Sequence, residues 1–363
     1  MSMQGLSITE RLARIKARLE SDQKPALPLH DPSDPEQTLE INGRGRGKND
    51  ERGLLDGAGP EPHALAQPQD PRAGWHLENI KVRDAWVDYS GQGVTVSVID
   101  DGFNYRHADL AANYNTEIDR DIRDNDADPL SGSGDGHGTR VAGVIAAAAN
   151  DIGGVGIAHG AAVTGFRIGF GSAGSITKTA EALDAAWRVS DVVNSSWSYT
   201  TAFQDNFLRF GYSSAGQAMK AGVTDGRDGL GTVFVFSAGN TRSSGDNVNY
   251  HNFQNSPYAI AVAGTTSSDT YGSWSNPGAA LLISAPGANI VTTADGGGYT
   301  TVSGTSFAAP IVSGVVALML EANGALGYRD VQEILAYSAK WNHKAQADWQ
   351  WNGADNWNGG GLH

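Results

Sequence analysis

The sequence predicts an α/β fold of three layers, a mainly parallel central sheet flanked by helices. From Trp75 onward, short apolar runs alternate with longer segments of helical periodicity, and that alternation builds parallel strands joined by covering helices. The short runs, such as Val94-Thr95-Val96-Ser97-Val98-Ile99, are mostly apolar and β-branched, the pattern of strands buried on both faces. A chain of 363 residues, 40% hydrophobic and with 47 glycines, is long enough for one large loop-rich domain with tails.

In chain order, residues 1–69 read as a non-core segment. Leu6, Leu12, Ile15 and Leu19 share helical spacing with Arg and Lys between them, which predicts a short amphipathic helix on a solvated tail. Residues 22–69 are rich in Pro, Gly, Asp, Glu and Arg with few aromatics, too little apolar surface to order themselves, so a linker is expected. Arg44, Arg46, Lys48 and Arg52 form a basic, glycine-rich patch there, read as solvated linker, with a pro-segment processing site as the alternative. The folded domain is placed at 70–340. Its strands are predicted at 94–99, 162–168, 190–194, 232–236, 259–263 and 281–284. Its helices are predicted at 138–149, 175–188, 203–222, 306–321 and 328–339. The tail, 341–363, carries Trp341, Trp349, Trp351 and Trp357 among Asn, Asp and Gly.

Composition narrows the function. Forty acidic residues against 26 basic ones give a net charge of −14, which repels phosphates and argues against a nucleic-acid partner. No cysteine is present, so disulfides are excluded and redox chemistry says nothing about compartment. No transmembrane helix is expected, since no run approaches the length of apolar residues that spans a bilayer. The N-terminus lacks the apolar core of a signal peptide.

Three segments carry the chemistry. The first strand ends in Asp100-Asp101-Gly102, and in open parallel sheets reactive groups gather at the carboxyl ends of strands. His137 stands between Gly136 and Gly138 at the start of a small-residue helix. Ser306, in Gly304-Thr305-Ser306-Phe307-Ala308-Ala309-Pro310, stands at the mouth of a long apolar helix, where donors and a positive dipole end favour developing negative charge. A hydroxyl needs a base to become a nucleophile. An imidazole with a pKa near neutrality suits that role, and a carboxylate on its far nitrogen fixes the tautomer.

These motifs, in the order Asp100, His137, Ser306, resemble the subtilisin-like serine proteases, and within them the kexin/furin branch. The doubled aspartate, His107-Ala108-Asp109-Leu110, the arginine in His137-Gly138-Thr139-Arg140, Gly226-Arg227-Asp228-Gly229 and Tyr328-Arg329-Asp330-Val331 carry the branch assignment. The resemblance covers residues 70–340. It implies a subtilisin-like fold and peptide or protein substrates, with Asp100, His137 and Ser306 as triad. Asn240, in Ser237-Ala238-Gly239-Asn240, is implied as the side chain that donates to the oxyanion. Asp101 is implied to meet a basic residue two before the cut. Ser196, Trp197, Ser198, Ser237, Ala238 and Gly239 are implied to wall the pocket for the residue just before it.

Calcium is implied as well. Asp119, Asp121, Asp124, Asp126 and Asp128 crowd one loop, where carboxylates repel unless screened. The resemblance selects Asp121, Asp126 and Asp128 as one Ca²⁺ site. It gives Asp70, Asp109 and Asp151 to a second, with Asn150 the alternative to Asp151. A third site, beneath the pocket, needs three acids. Only Asp246 remains, with Thr201 and Asn276 at the other two positions, so that site is expected to be lost. His251 stands where a pocket acid is expected, which puts cleavage after paired basic residues in doubt. The sequence therefore predicts a calcium-dependent serine endopeptidase. A non-catalytic or dormant subtilisin-like module that binds peptides is the alternative. Calcium favours an exported enzyme, and the missing signal core favours a cytoplasmic one. The branch continues beyond this point into a closing segment and a β-sandwich, so the tail reads either as a truncation or as a member without them.

Overall fold

In the computed structural model, the described residues are 74–340. The expectations for the N-terminal 69 residues, for Asp70 and for the tryptophan-rich tail lie outside them. The helices are α1 Trp75–Asn79, α2 Val82–Ala85, α3 His137–Ala146, α4 Ile176–Trp187, α5 Tyr212–Asp225, α6 Thr305–Ala322 and α7 Tyr328–Ser338. The strands are β1 Thr95–Asp100, β2 Arg120–Asp121, β3 Ala162–Arg167, β4 Val192–Ser195, β5 Val233–Ser237, β6 Ala259–Thr265, β7 Leu281–Pro286, β8 Ile290–Thr293 and β9 Tyr299–Val302. Seven strands form one sheet in the order β2-β3-β1-β4-β5-β6-β7, and every pair in it is parallel. The expected α/β class is therefore observed.

The order places the site. β1 pairs with β3 on one side and β4 on the other, so the chain leaves β1 in opposite directions to reach its neighbours. A crevice opens at the carboxyl ends of strands where the order reverses in this way. β1 ends on Asp100 and β5 ends two residues short of Gly239, so both deliver their functional residues to that edge. One core joins α4 and α5 to Val193, Phe234 and Phe236 of the sheet, with Trp197, Tyr199 and Phe253 buried beside them. The Trp197 ring meets Phe236 and Phe253 edge-on at 5.3 and 5.2 Å, a favoured aromatic geometry. α3 and α6 pack together against the sheet as a separate pair.

α6 is the one described helix long and apolar enough to cross a membrane, and 78% of it is buried inside the protein. It is a core helix, apolar all round because sheet and α3 enclose it.

One expectation needs correction, and one element has no counterpart among the predicted ones. The helix predicted at 203–222 begins only at Tyr212. Phe203 and Gly211 both take positive φ, and the Asp205 carboxylate turns away to accept the Phe253 N–H at 3.1 Å. The segment ahead of α5 is thereby spent on a loop contact. The β8–β9 hairpin was not expected, because its strands are only four residues long and polar on one side. Its position follows from α3: Thr292 and Thr293 donate their hydroxyls to the Arg140 and Thr139 carbonyls, both at 2.7 Å.

Candidate active site

Asp100 is fully buried at the end of β1, and His137 is the first residue of α3. His137 Nδ1 lies 2.9 Å from both Asp100 carboxylate oxygens. That bond puts the proton on Nδ1 and leaves Nε2 as the basic lone pair. Backbone closeness makes the pairing possible: a Cβ placed on Gly138 would fall 2.6 Å from the Gly102 carbonyl and 3.0 Å from Asp100 Cβ. Burial works to lower the imidazole's pKa, but the Asp100 charge and hydrogen bond, with the Asp101 charge behind them, raise it above its ordinary 6.5.

Asp101 is 3% exposed, and its Oδ1 accepts the N–H groups of Gly136 and Gly138 at 3.2 and 3.0 Å. Burial and the neighbouring Asp100 charge push its carboxyl up to about 6, against the pull of His137 and the two N–H donors. In this arrangement it secures the turn that carries His137.

Ser306 stands in the first turn of α6, where a backbone N–H has no intrahelical acceptor. The next residue, Phe307, brings its ring to 5.5 Å from the His137 ring, so the helix mouth and the imidazole share one place. Gly304 before it has φ 147°, and an added Cβ would lie 3.4 Å from Asn240 Nδ2. Asn240 Oδ1 accepts from the Thr305 N–H at 2.9 Å and from the Thr305 hydroxyl at 3.0 Å. Only the oxygen of an amide can accept from an N–H, so these bonds fix which end faces Thr305 and leave Nδ2 as the outward donor. The Thr305 hydroxyl also accepts the Gly239 N–H at 3.1 Å. Thr305 thus ties the two strand-and-helix ends together, a role the sequence reading missed although the residue adjoins Ser306.

Pro310 explains a second tie. It has no N–H and stands four residues after Ser306, so the Ser306 carbonyl loses its helical donor. Ser196 Oγ donates to that carbonyl at 2.8 Å, and Ser196 in turn accepts from Asn194 Nδ2 at 2.9 Å. Asn194 Oδ1 accepts from Ser313 Oγ at 2.8 Å, which closes the loop back onto α6. Ser196→Ala leaves a buried carbonyl unpaired and is expected to cost about 1–3 kcal/mol of stability. Urea unfolding measures this, and an unchanged midpoint would remove the role.

A sequence model of the Subtilase family matches residues 91–360. The chain belongs to the subtilase family. The "Dibasic-processing endoprotease" of Schizosaccharomyces pombe is 37% identical over 294 residues, covering 76% of this chain and 41% of that protein. Kexin of Saccharomyces cerevisiae is 36% identical, with 76% and 36% covered, and furin of Homo sapiens is 33% identical, with 79% and 38% covered. The chain thus spans about two-fifths of the length of these curated relatives. Among solved structures, a cold adapted subtilisin-like serine proteinase is 29% identical with a TM-score of 0.60, covering 72% of this chain and 86% of that one.

The other residues implied by the resemblance are distributed unevenly in this subtilase. The expected pocket walls do approach one another: a Cβ on Gly239 would lie 2.8 Å from Ser198 Oγ. The Trp197 side chain, however, is fully buried in the aromatic core and donates Nε1 to the Ile99 carbonyl at 3.0 Å, so only its main chain is available to a wall. Gln254, which no sequence signal marks, donates to the carbonyls of Trp197 and Ser237 at 3.2 and 3.0 Å and clamps the two walls.

In the acidic loop, Arg167 serves as an internal cation. Its guanidinium pairs with Asp121, with Asp124 at 2.7 Å and with Asp135 at 2.9 Å. Asp126 Oδ1 accepts the Asp128 N–H at 2.9 Å, and Asp128 accepts the Tyr105 hydroxyl at 3.0 Å. Among the described residues no three acids or histidines converge as a metal-binding group, so Asp121, Asp126 and Asp128 are not gathered as one. Asp109 differs. It is fully buried; Oδ2 accepts the Gly154 N–H at 3.3 Å, the Tyr299 phenol lies against the carboxylate, and Oδ1 has no close donor. A buried carboxylate oxygen without a donor suits a bound cation. Asp151 is exposed with φ 64°, in the turn that Asp109 holds.

Proposed function

We propose that this subtilase is a serine endopeptidase. The observation that supports it most is the Asp100–His137 pair set beside the Ser306 end of α6. Ser306 Oγ attacks the peptide carbonyl carbon while His137 Nε2 takes the hydroxyl proton, and Asp100 stabilises the imidazolium. The carbonyl electron pair moves onto oxygen, where Asn240 Nδ2 and the Ser306 N–H receive it. His137 then gives its proton to the leaving amine, the C–N bond breaks and an acyl-serine remains. Water then attacks the acyl carbon while His137 Nε2 takes its proton; the C–Oγ bond breaks, His137 returns the proton to Ser306 Oγ, and the acid is released. The family names of the relatives support the same reaction class.

A fluorophosphonate probe tests the assignment. Covalent labelling at Ser306, located by peptide mass spectrometry, is expected together with hydrolysis of denatured protein. Absence of both would leave the peptide-binding alternative. Because the working imidazole is neutral and its pKa is raised above 6.5, kcat/KM is expected to fall with acidity along a limb centred above pH 6.5. A profile flat down to pH 4 contradicts a histidine base.

Calcium belongs to the same proposal. Asp109 would hold one Ca²⁺ ion with Asp151 or Asn150 from the adjoining turn, and Asp70, which the resemblance adds to that set, lies outside the described residues. Asp121, Asp126 and Asp128 would form the second site only by exchange of Arg167 for the ion. Bound calcium would fix loops and take no part in bond cleavage. Adding EDTA to calcium-loaded protein is expected to lower Tm by about 5–10 °C, the effect of removing a ligand present at roughly a hundred times its Kd. No shift would remove the metal from the proposal. Dependence on calcium suits an exported enzyme acting on peptides or proteins.

A further inference from the structure

Directly behind the pocket wall lies a buried cluster that the reaction does not use. His251 is fully buried and stands between two aspartates, with Nε2 2.8 Å from Asp246 Oδ1 and Nδ1 3.4 Å from Asp205 Oδ1. Asp205 is fully buried and Asp246 is 8% exposed. The remaining carboxylate oxygens are taken as well. Asp246 Oδ2 accepts from Asn276 Nδ2 at 2.8 Å and from the Thr241 hydroxyl at 2.6 Å, and Asp205 Oδ2 accepts the Phe253 N–H. A neutral imidazole donates through one nitrogen only, so a ring facing a carboxylate on each side satisfies both only when doubly protonated. Burial opposes that charge, but the hydrogen bonds and charges of Asp205 and Asp246 raise the imidazole to about 9. The nearby Tyr199 and Tyr212 phenols are pushed up, mainly by burial, and stay neutral.

The cluster touches the pocket. Asn276, bonded to Asp246, is the member that reaches Gly239, where an added Cβ would lie 2.5 Å from Asn276 Nδ2. Asn276 Oδ1 accepts the N–H of Thr241, the residue after Asn240. The loop that carries His251 also carries Gln254, the clamp between the two walls.

We propose that Asp205, His251 and Asp246 form an internal ion triad that consumes the carboxylates behind the pocket, so that the residue before the scissile bond is an uncharged one. A substrate Lys or Arg entering there would lose its hydration and meet no acid from this cluster, and an unpaired buried charge is strongly unfavourable. His251 set between the two carboxylates offsets their mutual repulsion without a substrate cation or a metal. His251 acts as a positioning residue, through Asp246 and Asn276 on the Gly239 wall. The inference rests on the peptidase reading and goes beyond it by naming a substrate class.

The test is a cleavage map. The full chain is incubated with a denatured proteome, and the residues before each new N-terminus are identified by mass spectrometry. Lys and Arg are expected there at least tenfold below their abundance. Enrichment of either, with Ser306 labelled by fluorophosphonate, overturns this inference and leaves the peptidase intact. Absence of both cleavage and labelling overturns the two together. A second arm uses matched peptides differing only in Arg or Phe before the cut. His251→Asn frees the two carboxylates and is expected to raise the Arg:Phe ratio of kcat/KM about tenfold, carried by KM. The double variant His251→Asn/Asp246→Asn is expected to return the ratio toward the starting value. An unchanged ratio in His251→Asn, or no return in the double variant, counts against the triad. Should His251→Asn fail to fold, nitrogen-15 NMR of the unaltered protein decides: His251 doubly protonated at pH 7.5 supports the proposal, and a neutral ring overturns it.

Discussion

Replacing Ser306 by alanine is expected to lower kcat by about a million-fold, the magnitude typical of losing the nucleophile from such a triad. The variant keeps the fold, because Ser306 is only 5% exposed, lies among Phe307, Ala308 and Ala309, and makes its tie to Ser196 through the main chain. A Cβ remains, and no buried partner is orphaned. Tm by circular dichroism should therefore stay within a few degrees while hydrolysis disappears. His137→Ala is expected to reach a similar floor, and the double variant to fall no further, since base and nucleophile act in one step. Losses that multiplied in the double variant would mean that the two residues act separately. Residual turnover above about 1% in Ser306→Ala would end the assignment, since the oxyanion donors alone supply only a small part of the acceleration.

The parts of this site that were legible in the sequence are those held by local backbone. Asp100 is marked as a candidate because it ends an apolar strand, His137 because glycines flank it, and Ser306 because it opens a helix. Each signal lies within a few residues of the functional group. The strands were legible for the same reason: runs buried on both faces show continuous apolar character, and β1, β3, β5 and β6 fall within two residues of their expected ends. What escaped notice depends on residues far apart in the chain. Thr305 matters because Gly239 and Asn240 arrive beside it, Gln254 because it spans Trp197 and Ser237, and Asp205 because it meets His251 across 46 positions. Asp101 and Trp197 also have partners that local sequence does not show: Asp101 Oδ1 holds the His137 turn, and the Trp197 ring lies in the aromatic core. Arg167, which pairs with Asp121, Asp124 and Asp135, arrives from β3 and nothing in the acidic loop's own sequence marks it.

Asn240 offers a substitution that separates chemistry from structure. Its two ends do different things: Oδ1 holds the Thr305 N–H and hydroxyl, and Nδ2 is the outward donor. Asn240→Asp keeps an oxygen at the Thr305 end and replaces the donor by a second oxygen. Thr305 stays held, so the α6 start and the Ser306 position persist, and Tm is expected to change little. Catalysis is another matter. Removing one preorganised donor at the oxyanion costs about 2.7–4 kcal/mol, or roughly 10²–10³ in kcat. A carboxylate facing the developing charge adds repulsion, so the loss should lie at or beyond the upper end of that range, with KM nearly unchanged. Asn240→Ala deletes both ends. It should lose a comparable factor in kcat and also lower stability by about 1–3 kcal/mol, because the Thr305 N–H is left without its acceptor. The contrast between the variants is the decisive reading. If Asn240→Asp retained more than a tenth of the activity, Nδ2 would not be an oxyanion donor. If Asn240→Asp were destabilised as much as Asn240→Ala, the Oδ1 bonds to Thr305 would not be what holds the helix mouth in place.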